Sequence, residues 1–466
     1  MLSGFYKKYS FDVLNIFLIS LVSPLFFYKL GQTTLGSWDE AWYGEIARNI
    51  LKSGNIFNLW WNGAPYTDHP PAGFWIIAIF ESTFGFNEFG VRIGSAIFAL
   101  IGLYIVYLLG RELFSKTVGL VSAISLSSAY WYLFRARSGN LDIFLTFFFI
   151  LTFYLAVKSS KSKKFLIPFF LSFALLILTK SLIPLTIIPA LLIIFYKSKL
   201  NLKDFLEPIL AFALIIIPWI LALLINTPSA FMRYLVIGAP GVDQHTDYLA
   251  NFKLVKEYLH LGIGKWFWPG VLGIILGPLT RNKYLIALSV FCLSFFLPFI
   301  LSSKGHIWHL IPLYPFLILS FYGFTQIFLE TVNKKIIKTS PFKIQIALIA
   351  IILPFCLYFS YLQIKRSWYE FIDIEPFISD EEILSTDAGK YPYDLYIDGG
   401  DFRPTAVFYS GKDVRLLAEP SLLPLFESNK KFIMITNPDR LDLYKIPASD
   451  YDLIASDRDR ILIIRK

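Results

Sequence analysis

The chain has 466 residues, of which 56% are hydrophobic, 18% aromatic and only 17% charged, with a net charge of +9. Soluble domains carry roughly 25% charged residues, so this composition excludes an ordinary soluble protein and fits a polytopic α-helical membrane protein. The basic excess lies in short segments between apolar runs, where topology signals belong, and gives no ground for a nucleic-acid partner.

The first apolar run, 11–30, lacks a small-residue cleavage site and reads as a retained signal anchor. Next comes Ser37-Trp-Asp-Glu-Ala-Trp-Tyr-Gly-Glu-Ile-Ala-Arg48. Asp39 and Glu40 open an amphipathic helix whose apolar residues (Trp42, Tyr43, Ile46, Ala47, Ile50, Leu51) recur at helical spacing up to Gly54. Such a helix lies in the membrane interface with its carboxylates toward water. Two readings stand side by side: chemistry on a lipid-borne substrate, or a capping box of Ser37 and Glu40 with acids complementing the helix dipole.

Further apolar runs at 89–110, 117–134, 141–157, 165–179, 182–196, 206–225, 267–279, 284–301, 307–328 and 344–362 bring the expected spans to about eleven. The basic segments Lys7-Lys8, Arg111 to Lys116, Lys158 to Lys164, Lys197 to Lys203, Arg281 to Lys283 and Lys334 to Lys343 then all face the cytoplasm. This holds only if 70–87, which starts with Pro70-Pro71, is a re-entrant or interfacial helix. The N-terminus is then cytoplasmic and the C-terminus extracytoplasmic. All five histidines (His69, His245, His260, His306, His309) fall on the outer side, the last four in or beyond a long 226–266 loop. Titratable groups near a bilayer need partners or a task, so their gathering points to an outer site.

Beyond residue 364 acids become frequent and apolar runs shorten. Strands are expected at 405–409, 432–436, 452–456 and 460–464, and helices at 419–428 and 439–445, giving a small α/β domain of ~100 residues. Cys292 and Cys356 lie inside apolar runs, which excludes a disulfide framework and a cysteine metal site.

The chemistry-bearing residues follow from this topology. Arg135 and Arg137 occupy an outer turn, and their planar donors suit phosphate oxygens. Asp142 either orients one of them or a substrate hydroxyl, or serves as a helix N-terminal acid. Lys180 interrupts an apolar hairpin, as a site residue or as a snorkelling anchor. Lys304-Gly-His-Ile-Trp-His309 forms a second cationic cluster, and Asp68-His69 places an imidazole before 70–87. There is no nucleotide-binding glycine loop, HExxH or paired CxxC. A phosphate-bearing substrate is therefore lipid-linked and bound from the membrane.

With these residues in place, the chain resembles a GT-C glycosyltransferase of the protein O-mannosyltransferase and aminoarabinose-transferase superfamily. The resemblance rests on Trp38 to Glu45, Asp68 to Trp75, Phe84 to Ala96, Arg135 to Asp142, Leu178-Thr-Lys180 and Ser303 to Pro315, in that order. It implies a GT-C transmembrane domain, 1–363, with interfacial helices, and an extracytoplasmic α/β domain, 364–466. It also implies a multi-pass place in the plasma or inner membrane. The implied activity is sugar transfer from a polyprenyl-phosphate donor to a glycan, lipid or protein acceptor on the extracytoplasmic face, with membrane lipid as a partner. Asp39 is then the base, with Glu40 beside it. His69, Arg135, Arg137, Asp142, Lys180, Lys304 and His309 bind donor phosphate or substrate. The position of His69 is often lysine in the aminoarabinose branch, which argues against that sugar. The 226–266 loop would cover the donor. No cofactor is required, although a divalent metal would fit the carboxylates. A flippase of lipid-linked sugars is the alternative, disfavoured by the absence of an internal repeat and by charges at one face instead of the midplane. A scaffold presenting the outer domain is the second alternative.

Overall fold

The computed structural model describes residues 2–180, 182–229, 247–301, 305–334, 340–418, 421–428 and 430–466. Two compact units emerge: Met1–Tyr28, Thr67–Gly73 and Ser95–Ile374 form the first, and Lys29–Tyr66, Phe74–Gly94 and Glu375–Lys466 the second.

The first unit is helical. Six helices among the described residues are long and apolar enough to cross a membrane, or seven if the pair Lys116–Ser127 and Tyr130–Ala136, bent by 68°, is one span. Each of the eleven expected spans falls on helix, but several are short. Leu166–Ile177 has 12 residues and Ile188–Phe195 has 8. Part of the expected 226–266 loop is instead a helix, Tyr248–Ile263. Asp247 caps it by accepting from the amides of Leu249 and Ala250, and Gly264 ends it. Residues 230–246, with His245, lie outside the described residues.

Polar side chains join these helices internally. Ser125 bonds to the Tyr322 hydroxyl at 2.8 Å, and Ser128 bonds to Ser360 and receives the Trp266 indole N–H, both at 3.1 Å. In a lipid setting such bonds fix helix register where apolar contact alone cannot.

Four of the six basic segments come together at one end of this bundle. Glu112 takes Lys158 at 3.3 Å and Lys161 at 2.7 Å, Lys163 lies 3.5 Å from Asp204, and Lys161 sits over the Tyr284 ring at 5.8 Å. Segments 111–116, 158–164, 197–203 and 281–283 are thus neighbours or adjoin neighbours. The helix Asp142–Ser159 carries the chain from there to the opposite end, about 26 Å away at 1.5 Å per residue.

The second unit holds two sheets. The hairpin of β1 (Leu59–Trp61) and β2 (Ala64–Tyr66) is antiparallel. The larger sheet joins β3 (Asp394–Asp398), β4 (Val414–Leu417), β5 (Phe432–Thr436), β6 (Tyr451–Asp457) and β7 (Arg460–Arg465) in the order β4-β3-β5-β7-β6. β3 pairs parallel with β4 and β5, while β7 is antiparallel to β5 and β6. Strand alternation sends Leu395, Ile397, Ile433 and Ile435 to one face, against Leu384, Ala388, Ala406 and Val407 of two helices. Tyr396, Phe432 and Met434 face the other way, against Leu422, Phe426 and Leu441.

The expected strand 405–409 is a helix, Arg403–Ser410. Its β-like residue types are overruled by Pro404 in the first turn and by Gly411, whose φ of +67° supplies the left-handed stop. The segment Ala72–Phe84 is helical and, at 13 residues, too short for a full span, so it is read as interfacial.

Candidate functional site

In the first unit the site is built around Asp142. The chain leaves the short helix Tyr130–Ala136, turns, and starts the helix Asp142–Ser159. Asn140 is the true cap: its Oδ1 accepts from the amides of Asp142 at 2.9 Å and Ile143 at 3.3 Å, and its Nδ2 donates to Ser138 O at 2.8 Å. The carboxylate of Asp142 is thereby released from capping. It accepts from Arg135 Nη2 at 2.8 Å through one oxygen and from Lys180 Nζ at 2.7 Å through the other. Asp142 is only 2% exposed, and Arg135 is buried with it. A buried carboxylate needs such partners, and two cations around one anion leave a surplus positive charge.

Two histidines complete this cluster. His309 is within electrostatic reach of Lys180, Asp142, His306 and His69. Arg135 lies 5.4 Å from the Trp308 ring, on which His306 stacks at 4.6 Å. His69 senses both Lys180 and Asp142. Burial, and then the Lys180 ammonium, push its imidazole down to about 3, so it is neutral near pH 7 and is a hydrogen-bonding group, not a countercharge. Of the residues read from sequence, His69, Arg135, Asp142, Lys180 and His309 are therefore brought together. Arg137 directs Nη1 to Leu25 O at 2.9 Å and Nη2 to Tyr28 O at 2.7 Å, which ties down the chain after the first span. Lys304 lies outside the described residues.

In the second unit Asp39 and Glu40 sit in the turn Ser37–Ala41 that leads into the helix Trp42–Ser53. The two carboxylates have unlike settings. Glu40 is buried and gripped by Arg92, Nε to Oε1 and Nη2 to Oε2, both at 2.8 Å, and its Oε2 also accepts the Gly36 amide at 2.8 Å. Arg92 further donates to the carbonyls of Leu30 at 3.0 Å, Thr33 at 2.9 Å and Thr34 at 3.0 Å. In place of the capping box of Ser37 and Glu40, one of the two readings of this stretch, stands a fork-to-fork ion pair that holds the loop.

Asp39 is half-buried and has φ +77°, ψ −77°. This is the γ-turn region, costing on the order of 1–3 kcal/mol for a residue with a Cβ. Behind it stands an aromatic cluster. Trp42 packs on Trp38 at 5.0 Å, Tyr66 at 5.3 Å and Trp61 at 5.6 Å.

Three residues of this description escape sequence reading. Asn140 looks like part of a loop. Arg92 looks like a flank of a span, although a lone arginine in Val-Arg-Ile signals a buried partner. Glu81 stands in the apolar helix Ala72–Phe84, 1% exposed, with neither oxygen hydrogen-bonded. Burial pushes it up to about 9, against the attraction of Arg48 and with the repulsion of Glu45. Among the described residues, no three His, Cys, Asp or Glu side chains are grouped to hold a metal ion.

Residues 68–222 match the family model for dolichyl-phosphate-mannose-protein mannosyltransferases. Over 125 residues the chain is 36% identical to an undecaprenyl phosphate-α-4-amino-4-deoxy-L-arabinose arabinosyl transferase of Pseudomonas fluorescens, covering 26% of this chain and 22% of that protein. The leading curated relatives are matched over less than half of their own length. In three dimensions it superposes on apo ArnT from Cupriavidus metallidurans with a TM-score of 0.72 at 15% identity, over 98% of both chains. The same enzyme bound to undecaprenyl phosphate gives 0.70 at 14% identity, again over 98% of both. The oligosaccharyltransferase AglB of Archaeoglobus fulgidus, in complex with an inhibitory peptide and a dolichol-phosphate, gives 0.56 at 14% identity, over 93% of this chain and 70% of that one. The chain has the GT-C membrane fold of these structures, and over part of its length it is similar in sequence to glycosyltransferases of the mannosyl- and arabinosyl-transferase families.

Proposed function

We propose that this chain is a membrane glycosyltransferase that moves a sugar from a polyprenyl-phosphate donor to an acceptor hydroxyl on the extracytoplasmic face. The observation that carries the reading is the Asp142 cluster. A buried carboxylate holds Arg135 and Lys180 in fixed positions with positive charge left over, at the end of the bundle opposite the basic segments. Preorganised cations of this kind stabilise charge that develops on a leaving phosphate. The similar arabinosyl transferase named for an undecaprenyl-phosphate sugar, ArnT bound to undecaprenyl phosphate and AglB in complex with a dolichol-phosphate support the same donor class.

The roles divide as follows. Lys180 and Arg135 neutralise the donor phosphate, and Asp142 positions them. His69 and His309 donate or accept hydrogen bonds to the donor. Asp39 takes the proton of the acceptor hydroxyl as that oxygen attacks the anomeric carbon and the carbon–oxygen bond to phosphate breaks. Glu40, committed to Arg92, positions Asp39 and does not touch the reacting atoms. The N-terminus is cytoplasmic, and residues 364–466 are extracytoplasmic. His69 in place of the usual lysine directs the donor away from aminoarabinose. No metal is assigned.

Donor binding tests this reading. In purified protein, Lys180→Ala is expected to weaken polyprenyl-phosphate binding by roughly 30-fold or more, as for a lost charge-assisted contact of ~2 kcal/mol or more. Arg137→Ala, a residue on backbone carbonyls, is expected to act through stability and leave donor affinity within about threefold. Equal affinities for wild type and Lys180→Ala would remove the cluster from donor recognition.

A further inference from the structure

A cavity of the helical unit, about 670 Å³, has a polar mouth and an aromatic floor and shares no residue with the Asp142 cluster. We propose that it holds one acyl chain of an anionic phospholipid from the outer leaflet, with the headgroup phosphate at Lys265 and Gln363.

The mouth is built. Lys265 is exposed, and among the described residues no carboxylate is paired with it. Gln363 is 6% exposed, and its Oε1 accepts the Lys265 amide at 3.0 Å. Its Nε2, buried beside the cavity, has no hydrogen-bond partner. Gly264 fixes this arrangement, because a Cβ there would stand 1.8 Å from Gln363 Oε1. An ammonium and an unpaired amide N–H are the donors that a phosphodiester accepts from, whereas a buried amide without a partner costs about 1–3 kcal/mol. Arg366, the other cation of the mouth, is already held by Glu370 at 2.8 Å and by the Tyr130 ring at 4.3 Å, so it adds field more than contact.

The floor runs away from this mouth. From Arg366 to Phe355 along the helix Pro341–Ser367 is about 16 Å at 1.5 Å per residue, the depth of one leaflet's hydrocarbon. Phe321, Phe355 and Phe359 line it, and the rim residues Trp268 and Leu272 are 62% and 49% exposed. The volume is that of a small-ligand pocket and suits a single chain. The polyprenyl donor has its phosphate partners elsewhere, so the occupant is a resident lipid, distinct from substrate.

The full-length protein, purified and reconstituted with defined lipids, tests this by native mass spectrometry. Wild type is expected to retain phosphatidylglycerol over phosphatidylcholine at equal supply. Lys265→Gln should reduce that retention about fivefold, the worth of one lysine near an anionic surface, and Lys265→Arg should restore it. Leu272→Trp, which crowds the apolar rim away from the mouth, should reduce it as well. Undiminished retention in both Lys265→Gln and Leu272→Trp would overturn the proposal. So would absence of headgroup preference, or displacement of phosphatidylglycerol by equimolar polyprenyl phosphate, which would make the groove part of the donor site. None of these outcomes bears on donor binding at Lys180, which is measured separately.

Discussion

Asp39 and Glu40 are adjacent in sequence and opposite in circumstance. Both carboxylate oxygens of Glu40 accept hydrogen bonds from Arg92, and one also from the Gly36 amide, while Asp39 is held at positive φ without glycine's freedom. Residues kept in such backbone regions cluster at functional sites, where the surroundings over-determine them. The two positions can therefore be separated by experiment. Asp39→Gly relieves the φ strain, so the thermal midpoint should rise, by the equivalent of about 1 kcal/mol, while transfer is lost. A purely structural Asp39 would show no such split between melting and turnover. Glu40→Gln strands the buried Arg92 guanidinium and should lower stability by ~3–5 kcal/mol, visible as a large drop in melting temperature. Retained melting temperature in Glu40→Gln would show that the pair contributes little. The sequence made the acidic pair legible because carboxylates beside a membrane are rare. It did not reveal which of the two is occupied, because Arg92 lies 52 residues further on.

At the scale of single elements, the interfacial helix Ala72–Phe84 is held by apolar contact and carries one buried acid. Glu81 ordinarily titrates at 4.5 and is raised to about 9 in the fold. Below pH 4.5 the folded and unfolded chains both hold this proton. Between 4.5 and 9 only the folded chain does, so stability falls as pH rises through that window. Wild type should thus melt at progressively lower temperature from pH 5 to pH 9, and Glu81→Gln, which mimics the protonated acid, should flatten the slope. An unchanged slope in Glu81→Gln would assign the pH dependence to other groups. Helices such as this one were legible by apolar run and by Pro and Gly punctuation. The strand expected at 405–409 was not, because Thr-Ala-Val-Phe-Tyr has strand-like residue types and only Pro404 and Gly411 mark it as helix. The helix Tyr248–Ile263 is hidden in the sequence for the converse reason. Its polar residues masked a helix that Asp247 and Gly264 delimit.

Over the whole molecule, four of the six basic segments are neighbours or adjoin neighbours within the first unit. What the sequence did not reveal is the makeup of the second unit, which takes 29–66 and 74–94 together with 375–466. Its joints are long-range contacts, among them Arg48 Nη1 donating to Phe408 O at 2.8 Å, Asn62 bonding to the backbone of Val414, and Phe408 packed with Leu35, Ala41 and Val91. Such contacts leave no periodic trace in the chain. The compartment assignment is checked by labelling. A cysteine at Ser160 should resist a membrane-impermeant reagent added outside, and one at Ser410, in the sheet-bearing unit, should react after mild unfolding of its surroundings. Labelling of Ser160→Cys in intact cells would reverse the topology.

The central claim is sugar transfer from a lipid phosphate. Its most direct test is to supply the purified protein with a polyprenyl-phosphate sugar and measure free polyprenyl phosphate released together with sugar gained by an acceptor. The account predicts coupled release by the wild type. It also predicts at least a ~100-fold slower reaction by Asp39→Asn, the low end for loss of a general base. Turnover by Asp39→Asn at the wild-type rate, or sugar lipid moved across the bilayer with its phosphate bond intact, would contradict it.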